Sequence, residues 1–262
     1  MTLPKQTPKQ QEIVKLHYQF RFLNTKQIQK FLHHKNKKTI NTWLPDLVKK
    51  EYLKRIYDPH TFGKNTLPAI YYTGLNAIRW LKTQDDTDPG VLRKLYRDKD
   101  RSENFINQCV LAADACLTLR DQSTNGIEYH FFTQSDFAPT NSPLHFLKEL
   151  NPHICFMKQQ KSTKKYYLVE IPEETLPRYS LRKRIRTYID FFYSSAWEEN
   201  IKEPFPVILF ICPTKAILIS SKRYTKRLFE ENQNPEDLHI RFATVEEVQQ
   251  HGITGEIWEE VE

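Results

Sequence analysis

Residues 37–58 read KKTINTWLPDLVKKEYLKRIYD. Ile40, Leu44, Leu47 and Val48 recur at helical spacing and mark one face for burial. Lys37, Lys38, Asn41 and Thr42 lie off that face. Lys49, Lys50, Lys54 and Arg55 then lead through a turn into Leu53–Tyr57, whose alternation predicts a strand. Such a helix is either an ordinary solvated surface helix or one that presents its cationic face to a polyanion. Pro45 is the awkward residue. Inside a helix it removes the hydrogen bond to the Asn41 carbonyl and costs about 3 kcal/mol. It predicts a kink there, or a helix that effectively begins nearer Asn41.

The flanking sequence decides what this helix belongs to. Upstream, Pro8 suits the first turn of a helix over Lys9–Tyr18, with Thr7 as its cap. LNTKQIQKFL (23–32) offers a cap at Asn24 or Thr25, with Ile28, Phe31 and Leu32 at helical spacing. HHKNK (33–37) is a short polar turn. Downstream, the Pro/Gly/Asn-rich DPHTFGKNTLP (58–68) connects to a second strand in LPAIYYT (67–73), and GLNAIRWLK (74–82) closes the unit as a helix. Three helices, two strands and a helix match a winged helix-turn-helix, whose second motif helix lays its amino-terminal residues in the major groove. In that arrangement Lys37, Lys38, Asn41 and Thr42 face the bases, Asn suiting adenine edges and Lys suiting guanine or phosphate. Lys49, Lys50, Lys54 and Arg55 lie where helix meets wing, and Lys64 lies at the wing tip.

Charge is distributed to match. Residues 1–84 hold 16 Lys and Arg against four acids, a net of +12, whereas residues 85–262 hold 23 against 28, a net of −5. The asymmetry points to a polyanionic partner for the amino-terminal third. A lysine-rich solvated surface is the plainer reading. The 16 Phe and 13 Tyr against only six Gly in 262 residues indicate a folded chain. No run of about 18 apolar residues occurs, and the amino terminus has no apolar stretch of a signal peptide, so a cytoplasmic location is expected. Cys109, Cys116, Cys155 and Cys212 form no C-x-x-C pair. They are read as small buried apolar residues rather than metal ligands, and no cofactor is expected.

TQDDTDPGVLRKLYRDKDRSE (83–103) is charged and contains Pro89-Gly90, so 85–102 reads as a linker between a unit at 1–84 and one at 103–262. The second unit reads as a long helix over Asn104–Leu119 and strands at 127–134, 153–157 and 164–171. A helix at 179–196, a strand at 206–212, a helix over 214–232, a strand at 239–244 and a short closing helix follow. PVILFIC (206–212) has the unbroken apolar run of a strand buried on both faces. The fold class is therefore α+β: a winged helix, then an α/β unit with a mixed sheet flanked by helices.

Helix, three strands, helix, strand is the core order of the PD-(D/E)XK nuclease fold. There an Asp on one strand and an acid-x-Lys unit on the next hold Mg²⁺ and activate water. NPHICF (151–156) and LVEIPEE (168–174) occupy those places. His153 stands where the Asp would be, Glu170 is present, and Pro172 stands where the second acid would be. The chain resembles the replication-relaxation family of plasmids and conjugative elements. The resemblance runs over QTPKQQEIVKLHYQFRFLNTKQIQKFL (6–32), NPHICF, YYLVEIPEETLPRYSLRKRIRTY (166–188), FPVILFICPT (205–214) and VEEVQQHGITGEIW (245–258). It implies a winged helix joined to a PD-(D/E)XK-like domain, and double-stranded DNA binding linked to plasmid replication, mobilisation or its control. A relaxase, a replication protein or a second copy would be the partner. Relative to the family, His153 replaces the Asp, Pro172 the second acid and Arg184 the helix lysine, while Glu51-Tyr52 replaces a glycine at the winged-helix turn.

The expectation is a fold retained with hydrolysis lost. Glu170 is expected to pair with Arg184 or Lys183, or to be solvated, and His153 to be a core or edge residue. Arg178, Arg182, Lys183 and Arg186 form a second basic helix face, either a DNA contact or a solvated surface. Two rivals remain open: a nuclease with ligands displaced to Glu173, Glu174, Asp136 or Glu149, and a protein-interaction scaffold.

Overall fold

The computed structural model describes residues 2–61, 64–124, 126–233 and 235–261. The chain forms two compact units, Met1–Leu117 and Thr118–Glu262.

The first unit contains α1 (Pro8–Phe20), β1 (Leu23–Asn24), α2 (Thr25–Phe31), α3 (Lys37–Lys49), β2 (Leu53–Ile56), β3 (Ile70–Thr73), α4 (Leu75–Leu81) and α5 (Pro89–Tyr96). It also takes in most of α6 (Glu103–Asp121), within which the boundary falls. Thr7 and Asn24 cap α1 and α2, each closing a reciprocal capping box with a glutamine three residues on, Gln10 and Gln27. β1, β3 and β2 form a small antiparallel sheet in that order, with Leu53 opposite Thr73 and Leu23 opposite Tyr71. The two-residue β1 is too short to leave an alternating pattern in the sequence. α3 runs from Lys37 straight through Pro45, which is exposed, so the helix starts at Lys37 rather than near Asn41. Ile40, Leu44 and Leu47 are buried beneath it, and Val48 is half-buried.

α3 ends in a Schellman motif. The Glu51 amide donates to the Val48 carbonyl (3.0 Å) and the Tyr52 amide to the Leu47 carbonyl (2.9 Å). Glu51 itself sits at φ 56°, the left-handed position that usually holds glycine. The turn is clamped from α4. The Gly74 amide donates to the Tyr52 carbonyl (2.8 Å), the Asn76 amide to Glu51 O (3.1 Å) and Asn76 Nδ2 to Lys50 O (2.9 Å). A Cβ on Gly74 would overlap the Glu51 carbonyl, so the backbones approach closely only because residue 74 is glycine.

The segment 85–102 is not a linker. Asp88 caps α5 through the Gly90 and Val91 amides, with Pro89 in the first turn, so Pro89-Gly90 opens a helix instead of making a turn. Val91, Leu92 and Leu95 are buried, and the Arg21 guanidinium closes on the buried Asp98. Charged residues hid this three-residue apolar stripe.

The second unit is a mixed six-stranded sheet flanked by helices, in the order β4 (Ile127–Thr133), β5 (Ile154–Gln160), β6 (Thr163–Glu170), β7 (Val207–Cys212), β8 (Ile240–Thr244) and β9 (Glu259–Glu260). β4, β5 and β6 pair antiparallel, β6–β7 and β7–β8 parallel, and β8–β9 antiparallel. The parallel crossovers are made by α7 (Arg178–Tyr193) with the short α8 (Ala196–Ile201), and by α9 (Lys215–Glu231); α10 (Val245–His251) follows β8. Every residue of β7 is buried, as its apolar run predicts. Leu181, Ile185 and Tyr188 of α7 join Leu218 and Leu228 of α9 in the core with Phe210 and Phe242 of the sheet. All four cysteines are thiols, with Cys109 half-buried and the other three buried. Among the described residues no helix is long and apolar enough to cross a membrane.

Candidate nucleic-acid interface

The geometry of α3 separates its two faces. Lys37, Lys38, Asn41, Thr42 and Lys49 are exposed, as is Arg55 on β2. Asn36 caps the helix by accepting from the Lys38 amide (2.8 Å), which fixes where the cationic first turn begins. The Thr42 hydroxyl donates to the Lys38 carbonyl (3.1 Å). Lys37, Lys38 and Lys49 make no ion pair among the described residues. The Arg55 guanidinium lies 4.5 Å from the Tyr57 ring centre.

Two expected contacts are already engaged. Lys50 pairs with Asp46 (2.7 Å) and donates to the Lys5 carbonyl (3.0 Å); Asp46 also accepts from Gln10 Nε2 (2.6 Å). Those bonds, Lys50 first, hold the Asp46 carboxyl below its usual range. Lys54 pairs with Glu51 (3.4 Å). The sequence placed all four of Lys49, Lys50, Lys54 and Arg55 alike, because spacing cannot show which lysines have a carboxylate across a turn. The Lys64 side chain lies outside the described residues, as do Phe62 and Gly63 beside it.

The candidate acid site of the second unit has a different character. Glu170 ends β6, buried. Its Oε2 accepts from Arg184 (2.6 Å) and from the Tyr188 hydroxyl (2.8 Å), both one face of α7. His153 Nδ1 lies 3.3 Å from Oε1 and 3.2 Å from the Ile171 amide. Unprotonated, that nitrogen accepts from Ile171; protonated, it faces the carboxylate. Arg184 also donates to the Asn151 carbonyl (3.2 Å). Burial pushes the Glu170 carboxyl up, but the charges and hydrogen bonds of His153 and Arg184 outweigh it and bring the pKa down to about 2. Burial, then the facing Glu170 carboxylate, pushes the Tyr188 phenol well up, keeping it a donor.

These residues do not fit a magnesium ion. Mg²⁺ demands near-octahedral oxygen ligation. Here a guanidinium and a phenol fill one oxygen of the single carboxylate, an imidazole faces the other, and Pro172 is buried two residues on. Asp136 is used locally, accepting from the Thr133 amide (2.6 Å) and hydroxyl (2.9 Å). Among the described residues no three His, Cys, Asp or Glu are placed to hold a metal ion.

Arg178, Arg182, Lys183 and Arg186 are all exposed on α7. The sequence reading missed that α9 brings Arg223 and Arg227 beside them. The signal was present as a four-residue arginine repeat, but only the crossover places it against α7.

No protein-family model and no curated protein matches the chain. Among solved structures it is similar to restriction endonuclease FokI, at 12% identity and a TM-score of 0.29 over 93% of this chain and 43% of that one. For FokI bound to DNA the values are 12% and 0.26, over 93% and 44%. The chain thus spans less than half the length of those proteins, and similarity this distant carries no argument about its fold or its chemistry.

Proposed function

We propose that this is a non-catalytic DNA-binding protein, with a winged helix-turn-helix at its amino end and a PD-(D/E)XK-like scaffold at its carboxyl end. The order α1–β1–α2–α3–β2–β3 and the β1-β3-β2 sheet support the first assignment. The observation that carries the reading is the division of α3. Lys37, Lys38, Asn41 and Thr42 stand exposed at its amino end while Ile40, Leu44 and Leu47 are buried behind them. Lys49 and Arg55 extend the same cationic surface toward phosphates. Lys50 and Lys54 contribute more weakly, since each must leave or share a carboxylate. Residues 1–84 are the part that reads DNA, with 85–102 buttressing it.

The second unit keeps the sheet and loses the hydrolytic site, since the Glu170 carboxylate is committed to Arg184 and Tyr188. The resemblance to the replication-relaxation family favours a role in replication, mobilisation or transcription control of a mobile element, in the cytoplasm. A relaxase, a replication protein or a second copy is the candidate partner.

A mobility shift on duplex DNA at two salt concentrations tests the reading. Phosphate contact gives a steep fall of affinity with salt; a protein that shifts no duplex at low salt is instead a scaffold. Supercoiled plasmid with Mg²⁺ or Mn²⁺ should stay intact. Nicking that disappears in Glu170→Ala would overturn the non-catalytic assignment.

A further inference from the structure

The second unit carries a cleft of about 560 Å³ between α7 and α9. Its walls are Arg178 and Arg182 of α7 on one side and Ile219, Arg223, Tyr224 and Arg227 of α9 on the other. Among the described residues no carboxylate lines it. Such clustering is unexpected in the region 85–262, whose net charge is −5. Four guanidinium groups around one cleft repel each other unless an anion enters. Arg178, Arg182 and Arg223 make no ion pair among the described residues, and Arg227 has only Glu231 (3.4 Å) at its carboxyl-terminal end.

The arginines are held, not merely crowded. The Tyr224 ring has the guanidiniums of Arg182 and Arg227 each 5.2 Å from its centre. Its hydroxyl accepts from Arg186 (3.2 Å). Tyr224 is itself only 8% exposed, so the ring is a fixed post against which three arginines are braced. On each wall the guanidiniums repeat every fourth residue, roughly 6 Å of helix rise. A guanidinium fork matches phosphate oxygens in geometry as well as charge. Exposed apolar surface accompanies the charge in the cleft: Ile219 is 42% exposed. A solvated salt-bridge face would instead alternate acids with bases.

We infer that the α7–α9 cleft binds the phosphodiester backbone of a nucleic-acid strand. Arginines on both walls grip successive phosphates, a contact to the backbone that carries no base preference. The site is separate from the α3 surface and stands whether or not α3 reads duplex DNA.

The test uses the full chain and fluorescence anisotropy with a labelled 20-nucleotide oligo-dT and a labelled duplex, at several salt concentrations. Arg182→Gln with Arg223→Gln should weaken oligo-dT binding at least about tenfold at low salt and flatten its salt slope by about 1.4. Lys37→Ala with Lys38→Ala should leave oligo-dT binding within about twofold while weakening the duplex, so the two surfaces fail independently. If the first variant melts early, Arg178→Gln with Arg227→Gln, both exposed, replaces it. Unchanged oligo-dT affinity and slope in a folded cleft variant would sink the proposal. So would a parent that ignores oligo-dT but binds phosphatidylserine vesicles or polyglutamate through these arginines.

Discussion

The amino end of α3 and the carboxyl end of β6 both gather basic side chains, and they treat them in opposite ways. At the amino end of α3, Lys37 and Lys38 stand in water with no ion pair among the described residues, at no desolvation cost and with their charge available. At β6 a single guanidinium is withdrawn from water and spent on Glu170, with Tyr188 and Asn151 completing its hydrogen bonds. The first arrangement suits recognition of something outside the molecule. The second ties α7 to the sheet and leaves nothing for an incoming ion. Position of charge, rather than its amount, distinguishes a contact surface from a structural joint.

Removing Arg184 has the largest expected effect. Arg184→Met leaves a buried carboxylate without its cation and should destabilise the second unit by about 3–5 kcal/mol, measured by urea unfolding. Glu170→Gln with Arg184→Met should recover most of that loss. Should the single variant unfold like the parent, the cluster holds nothing together.

Acid separates the two units next. Burial keeps His17 neutral, with its pKa lowered from 6.5 to about 4. Between those values the unfolded chain binds the extra proton, so stability is full above 6.5 and falls as pH drops toward 4, by about 3 kcal/mol. Glu170, lowered from 4.5 to about 2, keeps its contribution above 4.5 and loses it only below, by a similar amount. Amide-exchange protection in α1, relative to the intrinsic rate at each pH, should therefore fall near pH 5 while β6 remains protected. Equal loss in both at pH 5 would contradict this.

At the α3 surface, Lys37→Ala with Lys38→Ala should weaken duplex binding about tenfold, or about 1.4 kcal/mol, and reduce the salt slope by about 1.8. Melting temperature should not move, because both side chains are exposed. The smallest expected effect is at the end of the same helix. Glu51→Gly relieves a left-handed non-glycine residue and should stabilise the first unit by about 1 kcal/mol. It also frees Lys54 and should tighten duplex binding slightly.

Much of this was readable beforehand. Apolar spacing gave α1, α2, α3, α7 and α9 to within a few residues, and the apolar run gave the central strand β7. For Glu170 the sequence left Arg184, Lys183 and solvent open as partners, and the structure pairs it with Arg184. What escaped had a common cause. β1 is too short for a period, α5 hides a narrow stripe among charges, and Arg223 meets Arg182 only through a crossover. The paired state of Lys50 and Lys54 depends on side chains that sequence spacing does not bring together.

Gly74 has no charge and points at no ligand, yet the pitch of the α3 surface depends on it. It lets α4 press against the Schellman turn, and Asn76 latches the same corner. If α3 reads DNA as proposed, a screen for lost DNA retention would return both positions beside the lysines. Read as a contact map it would draw the footprint too wide, because some of its hits would be the pivot on which α3 is mounted.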